Sequence, residues 1–397
     1  MISGMSKKRA LLTICPLYLL FFMGDAFLTS YYALFFQSNG INGEQLSLLL
    51  GVLPIALCTG CFVLSPLAKN VKASLWLFRI CAIVEAGFVF GYTLATSFES
   101  LLALTCIIGF VNGAPFSFME GYAAPAFKQA GLPYARVRMF GTTGYMVALF
   151  LGYFILGNLP IRDCYYFAFG LFIAALIVSF FVPKVIEETP QIEEESLQKP
   201  NKKSNFPIYG VLLFLAAHFC FYGAFNSLSY LLPIRLKAAG VSDADYSLIR
   251  SFSMAMELAG LLTAPLWSRF FKVKKWALIA SAALCVVCTS FGIYLDNGYA
   301  LGYTCLLLSG VGKAILFAFQ ANYLQELIGD RRLGTVLTVN NGLVNLACGA
   351  INFSSSYIYD SLGFSAFFGI LTGLEVLGLV FVCLLPSGGV QKIAQEK

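Results

Sequence analysis

The sequence predicts an all-α membrane protein with twelve transmembrane helices in two pseudo-symmetric six-helix bundles, and three observations predict this fold class. The chain of 397 residues is 59% hydrophobic but only 12% charged, whereas a soluble domain carries about 25% charged residues. Its apolar residues form long runs, and a run of about 20 is enough to cross a bilayer. A polar segment at residues 184–206 divides these runs into two sets. The composition excludes an ordinary soluble enzyme and a disordered chain.

Twelve apolar runs are predicted to be membrane-spanning helices, because backbone polar groups in lipid must be hydrogen-bonded within their own segment. Numbered as spans 1 to 12, they are Leu11–Phe36, Ser47–Ala68, Ser74–Thr96, Leu101–Phe127, Val137–Leu159, Cys164–Val182, Pro207–Leu236, Tyr246–Ser268, Trp276–Leu295, Tyr299–Ile328, Thr335–Tyr357 and Phe364–Leu385. Glycine pairs inside them, such as Gly109 with Gly113 and Gly369 with Gly373, predict close contacts between helices.

The ends of the chain and the central segment complete the predicted domain organisation. Residues 184–206 are rich in glutamate, lysine and proline without an apolar period, which is typical of a cytoplasmic linker. We therefore predict an N-terminal bundle at 1–183, a C-terminal bundle at 207–386 and a cytoplasmic tail at 387–397. The start of span 1 resembles a signal peptide, but the run is too long, contains Asp25 and lacks a small-residue cleavage site, so we expect an uncleaved helix.

The positions of the basic residues predict the orientation in the membrane. Of the 26 Lys and Arg residues, about twenty fall on the side of the bilayer where span 1 begins, by the positive-inside count over short loops and tails. We call this face the basic side and the other face the opposite side. The bias predicts that the basic side and both termini are cytoplasmic, in a plasma or inner membrane. Because the positive charge marks topology, no nucleic-acid partner is predicted.

Short matches at an offset of about 200 residues predict that the two halves are related. In chain order the matched pairs are Ser30-Tyr31 with Ser229-Tyr230, Gly40-Ile41 with Gly240-Val241, and Ser47-Leu48 with Ser247-Leu248. Duplicated helical halves around a midplane site are typical of proteins that work by alternating access.

Ionisable side chains deep inside the spans are the first candidates for a functional site, because a charge at the bilayer centre costs about 2.5–3.5 kcal/mol on insertion scales. They are Asp25, Glu85, Glu120, His218, Glu257, Lys313 and Glu375. An intramembrane ionisable residue of this kind indicates function unless a structural partner accounts for it.

Three of these side chains are candidates for carrying a proton. For Asp25 and Glu257 a functional role is the first hypothesis, and a structural ion pair or helix contact is the alternative. For His218, packing between helices is the favoured interpretation and a proton role is the alternative.

The remaining intramembrane charges have simpler interpretations. Lys313 is predicted to neutralise a nearby carboxylate, with a role in binding left open. Glu85 and Glu375 are predicted to be structural. Arg79 and Arg250 lie about one turn inside their spans, so we expect them to extend to the membrane surface.

No cysteine motif or nucleotide motif indicates chemistry. Cys58 with Cys61 and Cys285 with Cys288 form Cys-x-x-Cys pairs, but both lie inside spans, so packing explains them better than zinc or redox use. No phosphate loop of the Walker type is present. The sequence therefore predicts no catalytic residue, metal or cofactor, and the driving force would be an ion gradient or the solute's own gradient.

The segment from Arg136 to Tyr145, RVRMFGTTGY, starts span 5, and Glu120 lies eighteen residues before Arg138. This segment and spacing resemble helices 4 and 5 of the lactose permease branch of the major facilitator superfamily, whose members include nucleoside and phenylpropionate relatives. The resemblance implies that Glu120 and Arg138 bind substrate, with Thr142 in the same segment. Met256-Glu257-Leu258 is similar to the helix 8 acid segment of that branch.

Other positions depart from the branch. Gly223 and Asn226 replace its helix 7 acids, and its helix 10 histidine and glutamate have no match, so the branch's proton coupling does not transfer unchanged. Tyr145 and Tyr222 are further substrate candidates, because each combines an aromatic face with a hydroxyl near a polar feature of its span. Asn226 is a candidate because it occupies the position of one of the missing acids.

These observations predict a secondary active transporter that couples a proton to a small polar organic solute. A sugar or oligosaccharide is favoured, and a nucleoside or an aromatic acid is the alternative solute. A non-transporting membrane receptor or scaffold on a transporter fold is the alternative from another class. The expected partners are the solute, the proton and the lipid bilayer, with the chain acting as a monomer.

Overall fold

The computed structural model describes residues 7–132, 135–183, 185, 207–297 and 299–386. All regular secondary structure within these residues is helical, as the composition predicts. The predicted linker, apart from Val185, and the predicted tail lie outside the described residues.

The helices follow the predicted spans in chain order. Their bounds are Lys7–Thr29 with Tyr32–Ser38 (span 1), Gly43–Leu64 with the 3₁₀ turn Ser65–Leu67 (span 2), Val71–Leu94 (span 3), Phe98–Asn112 with Pro115–Gln129 (span 4), Ala135–Asn158 (span 5), Arg162–Ser179 (span 6), Ile208–Ala238 (span 7), Asp243–Leu262 with Ala264–Phe270 (span 8), Lys274–Phe291 with the 3₁₀ turn Gly292–Asn297 (span 9), Tyr299–Ile328 (span 10) and Asp330–Leu384 (spans 11 and 12).

Nine helical segments among the described residues are long and apolar enough to cross a membrane. Spans 11 and 12 count as one of them, because the helix is interrupted only at Gly363, where φ is 84°. Spans 8 and 10 are not among the nine, and each carries a charged residue near its centre, Glu257 and Lys313 respectively.

Spans 1, 4 and 8 each consist of two consecutive helices. Span 1 breaks at Ser30 and Tyr31, and Tyr31 has a non-helical ψ of 8°. Span 4 breaks at Gly113 and Ala114, directly before Pro115. Proline has no N–H to donate and disfavours helical geometry in the residue before it, so a new helix begins there.

The repeat predicted from the sequence recurs in the backbone. Gly40 after span 1 and Gly240 after span 7 have φ values of 79° and 85°. In both places the N–H of the residue after the glycine donates to the carbonyl five residues earlier, Ile41 to Phe36 and Val241 to Leu236. Each span therefore ends in the same Schellman motif, in which glycine avoids the strain that a Cβ atom brings to this conformation.

Contacts between spans are strongest within each set of six, with two exceptions. Span 1 packs on spans 5 and 6, span 2 on span 4, span 7 on spans 11 and 12, and span 10 on spans 8 and 9. Across the two sets, span 2 packs on span 11 and span 5 on span 8. These two crossing contacts position the site described below.

The glycine pairs gave mixed outcomes. A Cβ atom at Gly109 or Gly113 would collide with backbone atoms of span 2, so the predicted close contact is present there. A Cβ atom at Gly369 or Gly373 would meet no neighbour within 4 Å, so the predicted contact at that pair was wrong.

Candidate functional site

A cavity of about 260 Å³ lies between spans 1, 5, 7, 8 and 10 near their middles. Its wall combines hydroxyl, amide and charged side chains with aromatic rings, and includes Thr142, Tyr145, Asn226, Arg250, Glu257 and Lys313. Spans from both sides of the predicted linker therefore contribute to one space lined by polar and apolar groups. We call this space the central cavity.

A second cavity of about 350 Å³ adjoins the central cavity on its basic side. The two share Phe22, Thr142, Glu257 and Phe317 in their walls. The second cavity also reaches Arg138 near the start of span 5. The two cavities therefore lie side by side from the middle of the molecule toward the basic side.

Hydrogen bonds join the spans on the opposite side. The Tyr31 and Ser247 hydroxyls are hydrogen-bonded to each other, and Ser247 Oγ donates to the Leu149 carbonyl at 2.6 Å. Ser47 Oγ and Ser355 Oγ lie 3.0 Å apart. These bonds connect span 8 to spans 1 and 5, and span 2 to span 11, so the two sets of spans are joined on the opposite side.

The side chains at the basic end of the route are more open. Arg138 Nη1 lies 3.5 Å from Glu120 Oε1, and the two side chains are 52% and 32% exposed. The Arg138 guanidinium also lies 5.5 Å from the centre of the Phe116 ring. The two residues to which the family resemblance points are therefore in contact, and this end of the route is partly exposed.

Asp25 belongs to a separate polar cluster beside the central cavity. The Asn112 amide donates to Asp25 Oδ1 at 3.1 Å and to Glu85 Oε1 at 3.0 Å. Glu85 is fully buried. One amide thus holds two carboxyl groups from spans 1 and 3, and Asp25 does not line the central cavity. Glu85 was predicted to be structural, and it shares the Asn112 amide with Asp25, which is a candidate for carrying the proton.

Tyr145 is tied to the break in span 1. Its hydroxyl lies 2.8 Å from Ser30 Oγ and 3.1 Å from Thr29 Oγ1. Because Ser30 and Thr29 also line the central cavity, a change in the geometry of this break would move the Tyr145 hydroxyl in the wall.

His218 and Tyr222 lie behind the wall of the central cavity. His218 is fully buried, and its Nδ1 atom lies 3.0 Å from the Phe214 carbonyl oxygen. The Tyr222 ring packs perpendicular to that of Phe317 with centroids 6.3 Å apart. Phe317 lines the cavity, so Tyr222 supports the wall and is separated from the cavity by one ring.

The remaining intramembrane charges occupy distinct surroundings. Lys313 lines the central cavity, with its Nζ atom 5.4 Å from the centre of the Phe225 ring. Glu375 is fully buried between spans 9 and 12, where Thr289 donates to its Oε1 atom at 2.7 Å. The structural role predicted for Glu375 agrees with this contact.

Sequence reasoning missed Arg250. We expected its side chain to extend to the membrane surface, but it lines the central cavity and is only 7% exposed. A signal was present, because Arg250 precedes Glu257 by seven residues, which is two helical turns on the same face. The face of span 8 that carries Glu257 therefore also carries Arg250.

A family model for the Major Facilitator Superfamily matches residues 14–352 of the sequence. The chain belongs to the Major Facilitator Superfamily. In this major facilitator protein the match covers spans 1 to 10 and most of span 11. The assignment to the family therefore rests on most of the chain and not on one short motif. Comparison with curated protein sequences finds no significant match.

Solved structures of other transporters share the fold of this major facilitator protein. A mutant of the nucleoside transporter NupG superposes with a TM-score of 0.72 at 16% identity, covering 95% of this chain and 99% of that one. A D-xylose-proton symporter gives 0.73 at 14% identity, covering 96% and 98%. The human organic anion transporter MFSD10 gives 0.60 at 15% identity, covering 95% and 99%. At these identities the likeness shows the fold alone.

Proposed function

We propose that this protein is a symporter that couples a proton to a small polar organic solute in the cell membrane and works by alternating access. The observation that carries the proposal is the central cavity, which spans 1, 5, 7, 8 and 10 enclose at mid-depth and which opens toward one side. Residues 1–183 and 207–386 would move against each other as two bundles about this cavity. The chain would act as a monomer with both termini in the cytoplasm.

The size and lining of the central cavity support a small hydroxylated solute. Its volume of about 260 Å³ is slightly below the range of about 300–1,000 Å³ for ligand pockets. Thr142, Tyr145 and Asn226 supply hydroxyl and amide groups along its wall. A solute of monosaccharide size therefore fits better than an oligosaccharide.

Arg138 and Glu120 would act where the solute enters from the basic side. The guanidinium offers a planar set of donors to solute oxygen atoms. The carboxylate of Glu120, 3.5 Å away, holds Arg138 and accepts hydrogen bonds from solute hydroxyl groups. Both side chains are partly exposed in the open conformation, so closure on the basic side would bury them with the solute.

Among the three proton candidates, the geometry favours Glu257. Glu257 lines both cavities, whereas Asp25 is held by Asn112 and His218 lies behind the wall. Protonation of Glu257 would remove a charge from the closed cavity, where an unpaired charge is costly. The loaded protein would thus close more readily with a proton than without one.

Uptake by proteoliposomes under an imposed pH gradient tests the proposal. Radiolabelled D-glucose and D-xylose are suitable first probes, and an acidic exterior should drive their accumulation above the equilibrium level. Liposomes without protein and proteoliposomes treated with a protonophore are the controls. Uptake that ignores the pH gradient would exclude proton coupling.

An aromatic solute is a second candidate, because Phe22, Phe317 and Tyr145 contribute rings to the wall of the central cavity. Such rings stack with nucleobases or with the ring of an aromatic acid. Competition of sugar binding by uridine and by 3-phenylpropionate would separate these solutes. Binding without any uptake would instead support a receptor on a transporter fold.

A further inference from the structure

The central cavity carries more positive than negative charge. Arg250 and Lys313 line it, and Glu257 is the acidic side chain among the described residues of its wall. Arg138 in the second cavity is compensated by Glu120. Asp25 shares the Asn112 amide with Glu85 and is not part of the wall. One positive charge therefore remains uncompensated inside the central cavity.

Arg250 has the surroundings of a residue that awaits a ligand. Its side chain is 7% exposed and makes a side-chain hydrogen bond with Tyr246, but its buried Nε atom has no hydrogen-bond partner among the described residues. None of the described carboxylates lies within ion-pair distance of Arg250 or Lys313. A buried charge is costly unless it is paired and hydrogen-bonded, and an arginine fork matches a carboxylate in geometry and charge.

Polar neutral groups surround this cationic pair. Tyr145, Asn226 and Ser229 line the same cavity and offer hydroxyl and amide groups that bind hydroxyl groups of a solute. We infer that the solute is a small hydroxylated carboxylate, such as a sugar acid or an aliphatic hydroxy acid, whose carboxylate binds between Arg250 and Lys313. This inference rests on the proposed transport function and names the solute class for it.

The competing interpretation is that Lys313 and Arg250 only compensate Glu257. One carboxylate compensates one of the two cations, and the Nε atom of Arg250 stays unpaired in that arrangement. A neutral sugar would fill the cavity without supplying the second negative charge. A carboxylate supplies the charge and accepts two hydrogen bonds at once.

Binding to the purified full-length protein tests the inference with matched pairs of probes. The acids are D-glucuronate and D-gluconate, and their neutral counterparts are D-glucose and D-sorbitol. Isothermal titration and thermal shift should show at least about 30-fold tighter binding of one acid than of its neutral partner, because removing one member of a buried charge pair usually costs at least that factor.

Variants show whether Arg250 is responsible. Arg250→Gln should remove the preference for the acid, and Lys313→Gln should reduce it. Arg79→Gln is the matched control, since Arg79 is an intramembrane arginine that donates to Ser179 outside the cavity. An unfolding temperature of the unliganded variant close to that of the parent verifies folding. If Arg250→Gln is unstable, the preference for the acid is measured instead in the Arg250→Lys and Lys313→Gln variants.

The outcomes separate this inference from the proposed function. Equal binding of acids and neutral probes, or an acid preference that Arg250→Gln retains, would overturn the inference, and proton-driven uptake of the neutral probes would still support symport. Acid binding that depends on Arg250, without any uptake under a pH gradient, would support the anion site and contradict the proposed transport.

Discussion

At the residue scale, the site contains a charge pair to which the family resemblance points, Glu120 with Arg138. It also contains a buried cation, Arg250, that was not expected there from the sequence. Glu120 lies on span 4 and Arg138 near the start of span 5, and their side chains are 3.5 Å apart. Arg250 lies one turn inside span 8, where the sequence allows either the surface or the interior. Only the arrangement of span 8 against spans 5 and 10 decides that it faces the cavity.

Removing the charge of Glu120 should weaken solute binding. We expect Glu120→Gln to raise the dissociation constant about 10-fold, because a hydrogen bond to a charged group contributes about 1.5 kcal/mol. Titration of the purified protein with the solute that its proteoliposomes accumulate measures this change. Glu99→Gln, at an exposed glutamate in the first turn of span 4, is the matched control. Unchanged affinity would assign the Glu120–Arg138 pair to structure only.

Glu257 should be needed for coupling but not for exchange. We expect Glu257→Gln to abolish accumulation driven by a pH gradient, because glutamine cannot carry the proton. Exchange of solute across the membrane without a gradient should continue, since the cavity keeps its shape. Glu375→Gln is the control, because Glu375 is an intramembrane acid bonded to Thr289 away from the cavities. Proton-driven accumulation by the Glu257 variant would shift the coupling role to Asp25 or another group.

At the element scale, the helix breaks and the crossing contacts set the shape of the site. The break in span 1 places Ser30 and Thr29 beside Tyr145, and the contact of span 5 with span 8 closes the opposite side. The apolar runs predicted spans 5 and 8. No sequence pattern in either span indicates that the two helices pack against each other.

Gly152 is the residue that allows spans 1, 5 and 8 to meet. A Cβ atom built at Gly152 would collide with the Tyr31 hydroxyl and with Ser247 Oγ. We therefore expect Gly152→Val to separate these spans and favour the conformation open to the opposite side. Spin labels on cysteines introduced at the exposed ends of the spans, Glu99→Cys and Lys237→Cys, should report a longer distance.

Gly157 on the same helix provides the control for this experiment. A Cβ atom there meets no neighbour within 4 Å, so Gly157→Val should leave the spin-label distance unchanged. The same distance in the Gly152→Val variant and in the parent would mean that the spans accommodate the larger side chain without opening.

At the scale of the whole molecule, the charge bias predicts orientation in the membrane. Lys272 follows span 8 on the basic side, and Lys237 ends span 7 on the opposite side; both are exposed. In intact cells a membrane-impermeant thiol reagent should modify Lys237→Cys and not Lys272→Cys, because only the opposite side faces outward. Permeabilised cells should give modification of both, and the parent chain provides the background. The reverse pattern in intact cells would invert the predicted topology.

The repeat at an offset of about 200 residues is visible both in the sequence and in the local structure of the two halves. Gly40 and Gly240 lie 200 residues apart and end their spans with the same hydrogen bonds. Ser47 and Ser247 are related by the same offset, and each bonds to a span of the other set on the opposite side. The related glycines thus form the same turn in both halves. The related serines have different partners, Ser355 for Ser47 and Tyr31 for Ser247.

The sequence by itself determined that the chain lies in a lipid bilayer, that it is helical, and roughly where its spans begin and end. These properties depend on composition and on hydrogen bonding within each segment. The Glu120–Arg138 pair came from a resemblance of the segments around these residues to a known family. Only the tertiary structure decided that Arg250, Lys313 and Glu257 share one cavity, that Asn112 bridges Asp25 and Glu85, and that His218 lies behind the wall. The physical reason is that these groups belong to spans distant in the chain, and their separations depend on how whole helices pack.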